Sequence, residues 1–263
     1  MDLGLTGKVA LVGGSSRGLG YACARELATE GAKVSLCSRD GDQAVAAARR
    51  ISAETGSEAV GFGFDLSITG APEAWAAASC DHLGDVDILV HNTGGPPPGH
   101  FEDLDDMAWE AAFELLVLSA VRLFRAVLPG MRQRKWGRIV AIESISVKEP
   151  IDGLLLSNAL RPGVVAVAKA LSRFVAADGV TVNCVAPGSY ATARARELAA
   201  ARAEKTGVSV DTFLRKKAES FPRRRPGDPE ELAAVVAFLC SQRAANVNGA
   251  TVVADGGAIR SLT

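Results

Sequence analysis

The 263-residue sequence has little of several features that mark particular protein classes. Positive and negative side chains nearly cancel, and the formal net charge of −1 offers no field for nucleic acid or for an anionic membrane. Charged residues break the longest apolar stretches before they could span a bilayer. The start "MDLGLTGKVALVGG" has neither a basic segment nor a separate apolar block before a cleavage site. We therefore expect a cytoplasmic protein without nucleic acid or membrane partners.

Cysteine is scarce and shows no metal-binding pattern. An odd number of cysteines without CxxC spacing suits neither a disulfide framework nor a zinc site. Free cysteine is among the most buried residue types, so we predict buried thiols. The five positions are Cys23, Cys37, Cys80, Cys184 and Cys240.

The chain does contain a regular alternation of short apolar runs and helical patterns. The first run, 8–12, breaks at "GGSSRGLG" and is followed by helical spacing over 21–30. This alternation predicts one α/β domain, residues 1–263, with a doubly wound parallel sheet of about seven strands flanked by helices. The other strand candidates are "AKVSLCSRD", "EAVGFGFDLS", "VDILVHNTGG", "GRIVAIES", "VTVNCVAPG" and "GATVVADGG". The long irregular excursion at 189–229 is expected to cover a site.

The first turn carries the strongest sign of a ligand. Its glycines are spaced GxxxGxG between a strand and a helix, where backbone amides can approach a pyrophosphate at the helix N-terminus. Glycines also serve any tight strand-to-helix turn, so the spacing alone is weak evidence. The residues predicted to bind a cofactor here are Gly14, Ser16, Arg17, Gly18, Leu19 and Gly20.

Residues at the end of the second strand distinguish the two dinucleotides. A carboxylate there binds a ribose 2′-hydroxyl, whereas arginine favours a 2′-phosphate. This chain has Ser38 and Arg39 at these positions, and Arg17 can reach the same phosphate. We expect NADP(H) to be preferred over NAD(H). The alternative is that both arginines are ordinary solvated charges.

With these motifs, the chain resembles the short-chain dehydrogenase/reductase family, and most closely its 3-oxoacyl-(acyl-carrier-protein) reductase branch. The resemblance spans nearly the whole sequence and includes "HNTG", "GRIVAIES", "VNCVAPG" and "DGG". It implies a Rossmann-type fold and a homotetramer or homodimer joined through the long helices. It also implies further cofactor contacts at Asp65, Leu66, Asn92, Gly94, Pro187 and Gly188.

The family's catalytic asparagine, serine, tyrosine and lysine are only partly matched. Ser144 aligns with the serine, but Ser157 and Arg161 stand at the tyrosine and lysine positions, and Leu116 at the asparagine position. A serine hydroxyl is far less acidic than a phenol, and arginine does not release a proton in proteins. We expect Ser144 and Ser157 to be catalytic and Arg161 to hold ribose hydroxyls. Pro162 suggests that its helix starts later than usual or is altered near 158–161.

Three functions remain open on this evidence. In the first, a ketone is reduced and the proton comes from Tyr190, from His100 or from a water held by the two serines. In the second, a conjugated enone is reduced and needs only hydrogen-bond donors at its oxygen. In the third, the protein binds a nucleotide or another ligand without hydride transfer, as a sensor or as a non-redox enzyme on the same fold. We predict an NADP(H)-dependent oxidoreductase acting on an oxo group.

Two basic segments bear on the substrate. They would attract a phosphopantetheine, a carrier protein, a coenzyme A thioester or a carboxylate, although charge runs are usually only solvated. The residues are Arg132, next to "RKWGR", and the cluster Lys216, Lys217, Arg223, Arg224 and Arg225.

Overall fold

The computed structural model describes residues 2–262, without the side chains of 201, 202 and 204–206 in one helix. The strands are β1 Val9–Val12, β2 Lys33–Ser38, β3 Ala59–Gly63, β4 Ile88–His91, β5 Gly137–Ile142, β6 Val180–Pro187 and β7 Thr251–Ala254. The helices are α1 Gly18–Thr29, α2 Gly41–Thr55, α3 Ala71–Leu83, α4 Asp106–Phe113, α5 Ser119–Gln133, α6 Leu155–Val175, α7 Ala193–Thr206, α8 Val210–Glu219 and α9 Pro229–Cys240.

The seven strands form one sheet in the order β3-β2-β1-β4-β5-β6-β7, and all neighbouring pairs are parallel. The predicted fold class is confirmed. The order reverses direction between β1 and β4, where the chain crosses from one half of the sheet to the other. Ligands of such sheets bind at the carboxyl ends of the strands, beside this switch point.

Alternating residues of the strands pack into two apolar layers, one on each face of the sheet. In β1, Ala10 and Val12 face the layer covered by α1, α2 and α9, whereas Val9 and Leu11 face the layer covered by α3, α5 and α6. Trp75 of α3 is fully buried in the second layer, and its indole nitrogen donates to Ser35 Oγ at 3.0 Å. Because both faces are covered, the strands are mainly apolar, and the sheet presents its strand ends as the surface for ligands.

The structure contradicts the expectation that the helix containing Pro162 starts late. It begins at Leu155 and includes Pro162 as an internal residue, so the helix does not start later around the proline. Proline removes one backbone hydrogen bond at a cost of about 3 kcal/mol. The helix is 21 residues long and buries a full apolar face against β6 and α5, which offsets that cost.

The structure also contradicts the expectation that all five cysteines are buried. Four of the five cysteines are buried free thiols as predicted, but Cys80 is exposed. The buried positions of α3 include Trp75, Ala76, Ser79 and Leu83, which recur with helical spacing on one face. Cys80 falls on the opposite face.

Within residues 2–262, no helix has the length and apolar character that crossing a membrane requires.

Candidate active site

The turn between β1 and α1 favours glycine at its key positions, by backbone conformation or by close packing. Gly14 and Gly18 have φ of +54° and +64°, which glycine adopts without strain. A Cβ atom on Gly20 would lie 2.4 Å from the Gly14 carbonyl oxygen. The close packing leaves the first amides of α1 at the strand ends, and the N-cap residue, Arg17, does not cap them with its side chain. We call this turn the glycine cradle, because its geometry suits an anionic group such as a pyrophosphate; that such a group binds here stays a prediction.

Asn92 fixes this turn from the neighbouring strand. Its side-chain amide donates to the Gly13 carbonyl at 3.0 Å and to the Gly14 carbonyl at 3.2 Å. Thus the residue predicted to contact the cofactor also holds the cradle in shape. Beyond it, Gly94 is open, with no atom within 4 Å of where a Cβ would stand.

Three predicted residues lie on the adenosine side of the turn. Arg39 is exposed directly after β2. Asp65 accepts hydrogen bonds from the Ser67 amide and hydroxyl at 3.0 and 2.7 Å, which orients its carboxylate. Leu66 is buried beside the glycine turn. Their placement at the ends of β2 and β3 agrees with an adenine-binding role, which stays a prediction.

The other end of the cleft is formed by the loop after β6. Pro187 ends that strand, and the Gly188 amide donates to the Ala254 carbonyl at 3.1 Å. Thr192, farther along this loop, lies 3.7 Å from where a Cβ of Gly18 would stand. Arg17 also donates to Glu197 of α7 at 3.1 Å. The excursion therefore contacts the glycine turn directly.

The two candidate catalytic serines are each hydrogen-bonded as acceptors. Ser144 Oγ accepts from the Ser146 amide at 3.1 Å, at the start of the short 3₁₀ turn Ile145–Val147. Ser157 Oγ accepts from Arg161 Nε at 2.9 Å, across one turn of α6. Neither hydroxyl donates to another described residue. Both O–H groups are therefore free to donate to a ligand oxygen.

Arg161 is buried in an ion pair that the sequence did not suggest. Its Nη1 donates to Glu143 Oε2 at 3.1 Å and to the Ile142 carbonyl at 3.4 Å. Glu143 directly follows β5, and its side chain is only 1% exposed. Burial raises the pKa of Glu143 to about 7, against the opposing effect of the Arg161 charge. The sequence signal was an acidic residue directly after the apolar run 139–142.

Two neighbouring positions carry no acid that titrates near neutrality. Burial, followed by the charge of Arg161, lowers the pKa of His91 to about 3, so this imidazole is neutral; its Nε2 is 3.0 Å from Ser119 Oγ. Leu116 is buried in a π-helical segment, Glu114–Leu118, between α4 and α5. Segments of this kind are frequent at functional sites, but an apolar leucine offers no polar side-chain atom there.

The two alternative proton donors lie in different settings. The Tyr190 hydroxyl donates to the Ala254 carbonyl at 2.9 Å, and burial, followed by Glu231 and Asp255, raises the pKa of this phenol to about 12. His100 is exposed at the start of the 3₁₀ turn Phe101–Asp103. Tyr190 is thus engaged as a structural donor, and the catalytic role of either residue stays a prediction.

Several residues of the predicted basic segments are already paired. Arg223 and Arg225 both bind Glu231, at 2.8 and 2.7 Å. Arg132 binds Asp178 at 2.6 Å. These ion pairs reduce the positive electrostatic potential that the arginines would present to a carrier protein.

Comparison with known proteins agrees with this geometry. The family model described as enoyl-(acyl carrier protein) reductase matches residues 14–258. A 3-oxoacyl-(acyl-carrier-protein) reductase from Vibrio cholerae is 36% identical over 257 residues, covering 97% of this chain and 98% of that protein. The D-beta-hydroxybutyrate dehydrogenase of Cupriavidus necator is 34% identical over 260 residues, covering 96% and 98%.

Solved structures extend the similarity to the whole fold. L-sorbose reductase from Gluconobacter frateurii, solved with NADPH and L-sorbose, superposes with a TM-score of 0.95 at 33% identity over 100% of both chains. An actinorhodin polyketide ketoreductase solved with NADPH gives 0.91 at 33% identity, covering 95% of this chain and 97% of that one. The chain therefore belongs to the short-chain dehydrogenase/reductase family and is an enzyme of its oxidoreductase class.

Proposed function

We propose that this protein is an NADP(H)-dependent reductase that transfers hydride to an oxo group, either of a 3-oxoacyl substrate or of another ketone, at a non-standard active site. The nicotinamide, when bound, supplies the hydride. The observation that carries the proposal is that the hydroxyls of Ser144 and Ser157 both keep their protons free, and that Ser157 also accepts from the Arg161 guanidinium. Such donors stabilise negative charge that develops on a substrate oxygen.

The cofactor would be held by the residues already described. The glycine cradle and the α1 amides suit the pyrophosphate, because a side chain at Gly20 would fill that space. Arg161 would bind the nicotinamide ribose in place of lysine. Arg17 and Arg39 favour a 2′-phosphate, and the NADPH named in the two solved relatives supports this choice.

A conjugated enone is the second candidate substrate class. It is favoured by one observation: the Tyr190 phenol is committed to the Ala254 carbonyl, and a serine hydroxyl is a weak acid. An enone needs donors at its oxygen but no strong acid there at the moment of hydride transfer. The same two serines would serve it.

The direct test is an NADPH titration followed by nicotinamide fluorescence, and then a panel of 3-oxoacyl thioesters, simple ketones, quinones and cyclic enones. We expect tight NADPH binding and oxidation by an oxo substrate. Oxidation by the enones alone would assign the second class. Binding without turnover of any member would point to a non-redox protein on this fold, and the reductase proposal would fall.

The choice between cofactors has its own test. The double variant R17A/R39A is expected to weaken NADPH binding at least about tenfold, because a hydrogen bond to a charged group contributes about 1.5–3 kcal/mol. NADH binding should stay within about twofold, since it lacks the 2′-phosphate. Alanine at the exposed Arg49 of α2 is the matched control. An equal loss for both cofactors would refute the role of the two arginines.

The predicted carrier-protein partner and the homodimer or homotetramer both stay predictions. Phe113 and Phe174 are exposed on α4 and α6, which agrees with burial of these helices between subunits.

A further inference from the structure

The Glu143–Arg161 pair is a feature that the reduction chemistry does not require. A carboxylate at the buried end of β5 is costly unless its charge is compensated. Of its two oxygens, Oε2 accepts from Arg161, whereas Oε1 is buried and has no hydrogen-bond partner among the described residues. Because neither oxygen is exposed to the cleft, Glu143 is poorly placed to touch a substrate. Among the described residues, Arg161 is the only hydrogen-bond partner of this carboxylate.

The guanidinium of Arg161 is held at two of its three nitrogens. Nε donates to Ser157, and Nη1 donates to Glu143 and to the Ile142 carbonyl. Nη2 makes no hydrogen bond to a described residue and is not among the buried unpartnered atoms. It is therefore the nitrogen available to a ligand, and the side chain retains 9% exposure.

We propose that Glu143 is a positioning residue of the reduction site, which fixes the Arg161 guanidinium so that Nη2 meets the bound cofactor. This inference rests on the proposed function, in which Arg161 binds the nicotinamide ribose. It adds a role for an acidic residue that acts only through the arginine. Ionised Glu143 holds the arginine firmly, whereas protonated Glu143 leaves it less restrained.

Among the described groups that interact with either member of the ion pair, Glu143 is the one that changes charge near neutrality. Arg161 of α6 is the cation in contact with it. His91 of β4 is neutral, because its pKa is lowered. Cys184 of β6 is also neutral, because burial, followed by the Glu143 charge, raises the pKa of its thiol to about 12. The raised pKa of Glu143 places its own change of charge near pH 7.

The test measures NADPH dissociation constants for the wild type and for E143Q, R161M and E143Q/R161M at several pH values. At about pH 8.5 we expect E143Q to bind about tenfold more weakly than the wild type, the loss of one charge-assisted contact. The ratio of the two constants should approach one near pH 5.5, where Glu143 is protonated in the wild type. This ratio cancels the titration of the cofactor's own phosphate.

The double variant separates positioning from a direct role. If Glu143 acts through Arg161, E143Q/R161M should bind no more weakly than R161M alone. Additive losses would overturn the proposal, and so would a ratio that stays constant with pH. Should E143Q fail to fold, the wild type is compared with R161M instead. The ratio of their NADPH dissociation constants should move towards one as the pH falls through 7. A ratio that stays constant would overturn the proposal. E54Q, which breaks the surface pair Arg25–Glu54 at 2.7 Å, is the matched control.

A ligand-free measurement distinguishes failure of this proposal from failure of the proposed function. Below pH 4.5 Glu143 is protonated in the folded and unfolded chains; from there to about 7 only the unfolded chain loses the proton. The unfolding free energy of the wild type, relative to E143Q, should therefore fall over that range and then level off. A flat difference overturns the proposal. If the difference appears but no substrate oxidises NADPH, the reductase function fails while the buried pair stands.

Discussion

Replacing Ser144 by alanine is expected to lower kcat about 10²- to 10³-fold, the effect of removing one donor from an oxyanion site. The reason is that the Ser144 hydroxyl accepts from the Ser146 amide and keeps its own proton for the substrate oxygen. NADPH affinity should change little, because the effect falls on the reacting oxygen. Stopped-flow measurement of NADPH oxidation gives kcat separately from binding.

Ser146 supplies the control for this variant. Its hydroxyl is buried two residues away and has no hydrogen-bond partner among the described residues. S146A should retain nearly full turnover, since its backbone amide still donates to Ser144. Equal losses in S144A and S146A would mean that the 3₁₀ turn is merely sensitive to substitution. Unchanged turnover in S144A would remove Ser144 from the catalytic site.

Alanine at Gly20 is expected to weaken NADPH binding about 100-fold and to destabilise the fold by about 1–3 kcal/mol, as overpacking does. Its Cβ would lie 2.4 Å from the Gly14 carbonyl oxygen and 2.8 Å from the Asn92 amide nitrogen. The turn must then open, and the amides that face the pyrophosphate move apart. Fluorescence titration and thermal unfolding measure the two effects.

Gly163 of α6 offers a glycine of the opposite kind. No atom lies within 4 Å of where its Cβ would stand, and its φ is not in the left-handed region. G163A should stabilise the protein by about 0.5–1 kcal/mol and leave NADPH binding unchanged. If G20A bound NADPH as tightly as the wild type, the glycine turn would not be the pyrophosphate cradle.

The fold was predictable because its signals are local and repeated. The strands are short, mainly apolar runs, and each of the first six is followed by a turn and a helical pattern. The boundaries of α6 were not predictable. A proline such as Pro162 is typical of the first turn of a helix, but here it is tolerated inside a long, well-packed helix. The exposure of Cys80 depends on which face of α3 packs on the sheet, which composition does not reveal.

The sequence predicted only those parts of the candidate site that are a backbone turn or individual residues, and not the pairing between distant side chains. The glycine turn followed from its spacing and Ser144 from the family resemblance, and the structure brings Ser157 and Arg161 together as helical neighbours. The partnership of Glu143 with Arg161 was missed, because the two residues are 18 positions apart and meet only when α6 packs beside the end of β5. The acidic residue directly after an apolar run was the feature of the sequence that indicated a buried ion pair.

The buried ion pair also has an evolutionary consequence. Losing either partner alone leaves an uncompensated charge in the interior, whereas losing both together is nearly neutral for stability. Positions 143 and 161 are therefore epistatic: a substitution accepted at one depends on the residue present at the other. A lysine introduced at 161 to rebuild the tyrosine–lysine site would compensate the Glu143 charge but would also be drawn into the pair with that carboxylate, so its freedom to serve a tyrosine at 157 depends on the residue at 143.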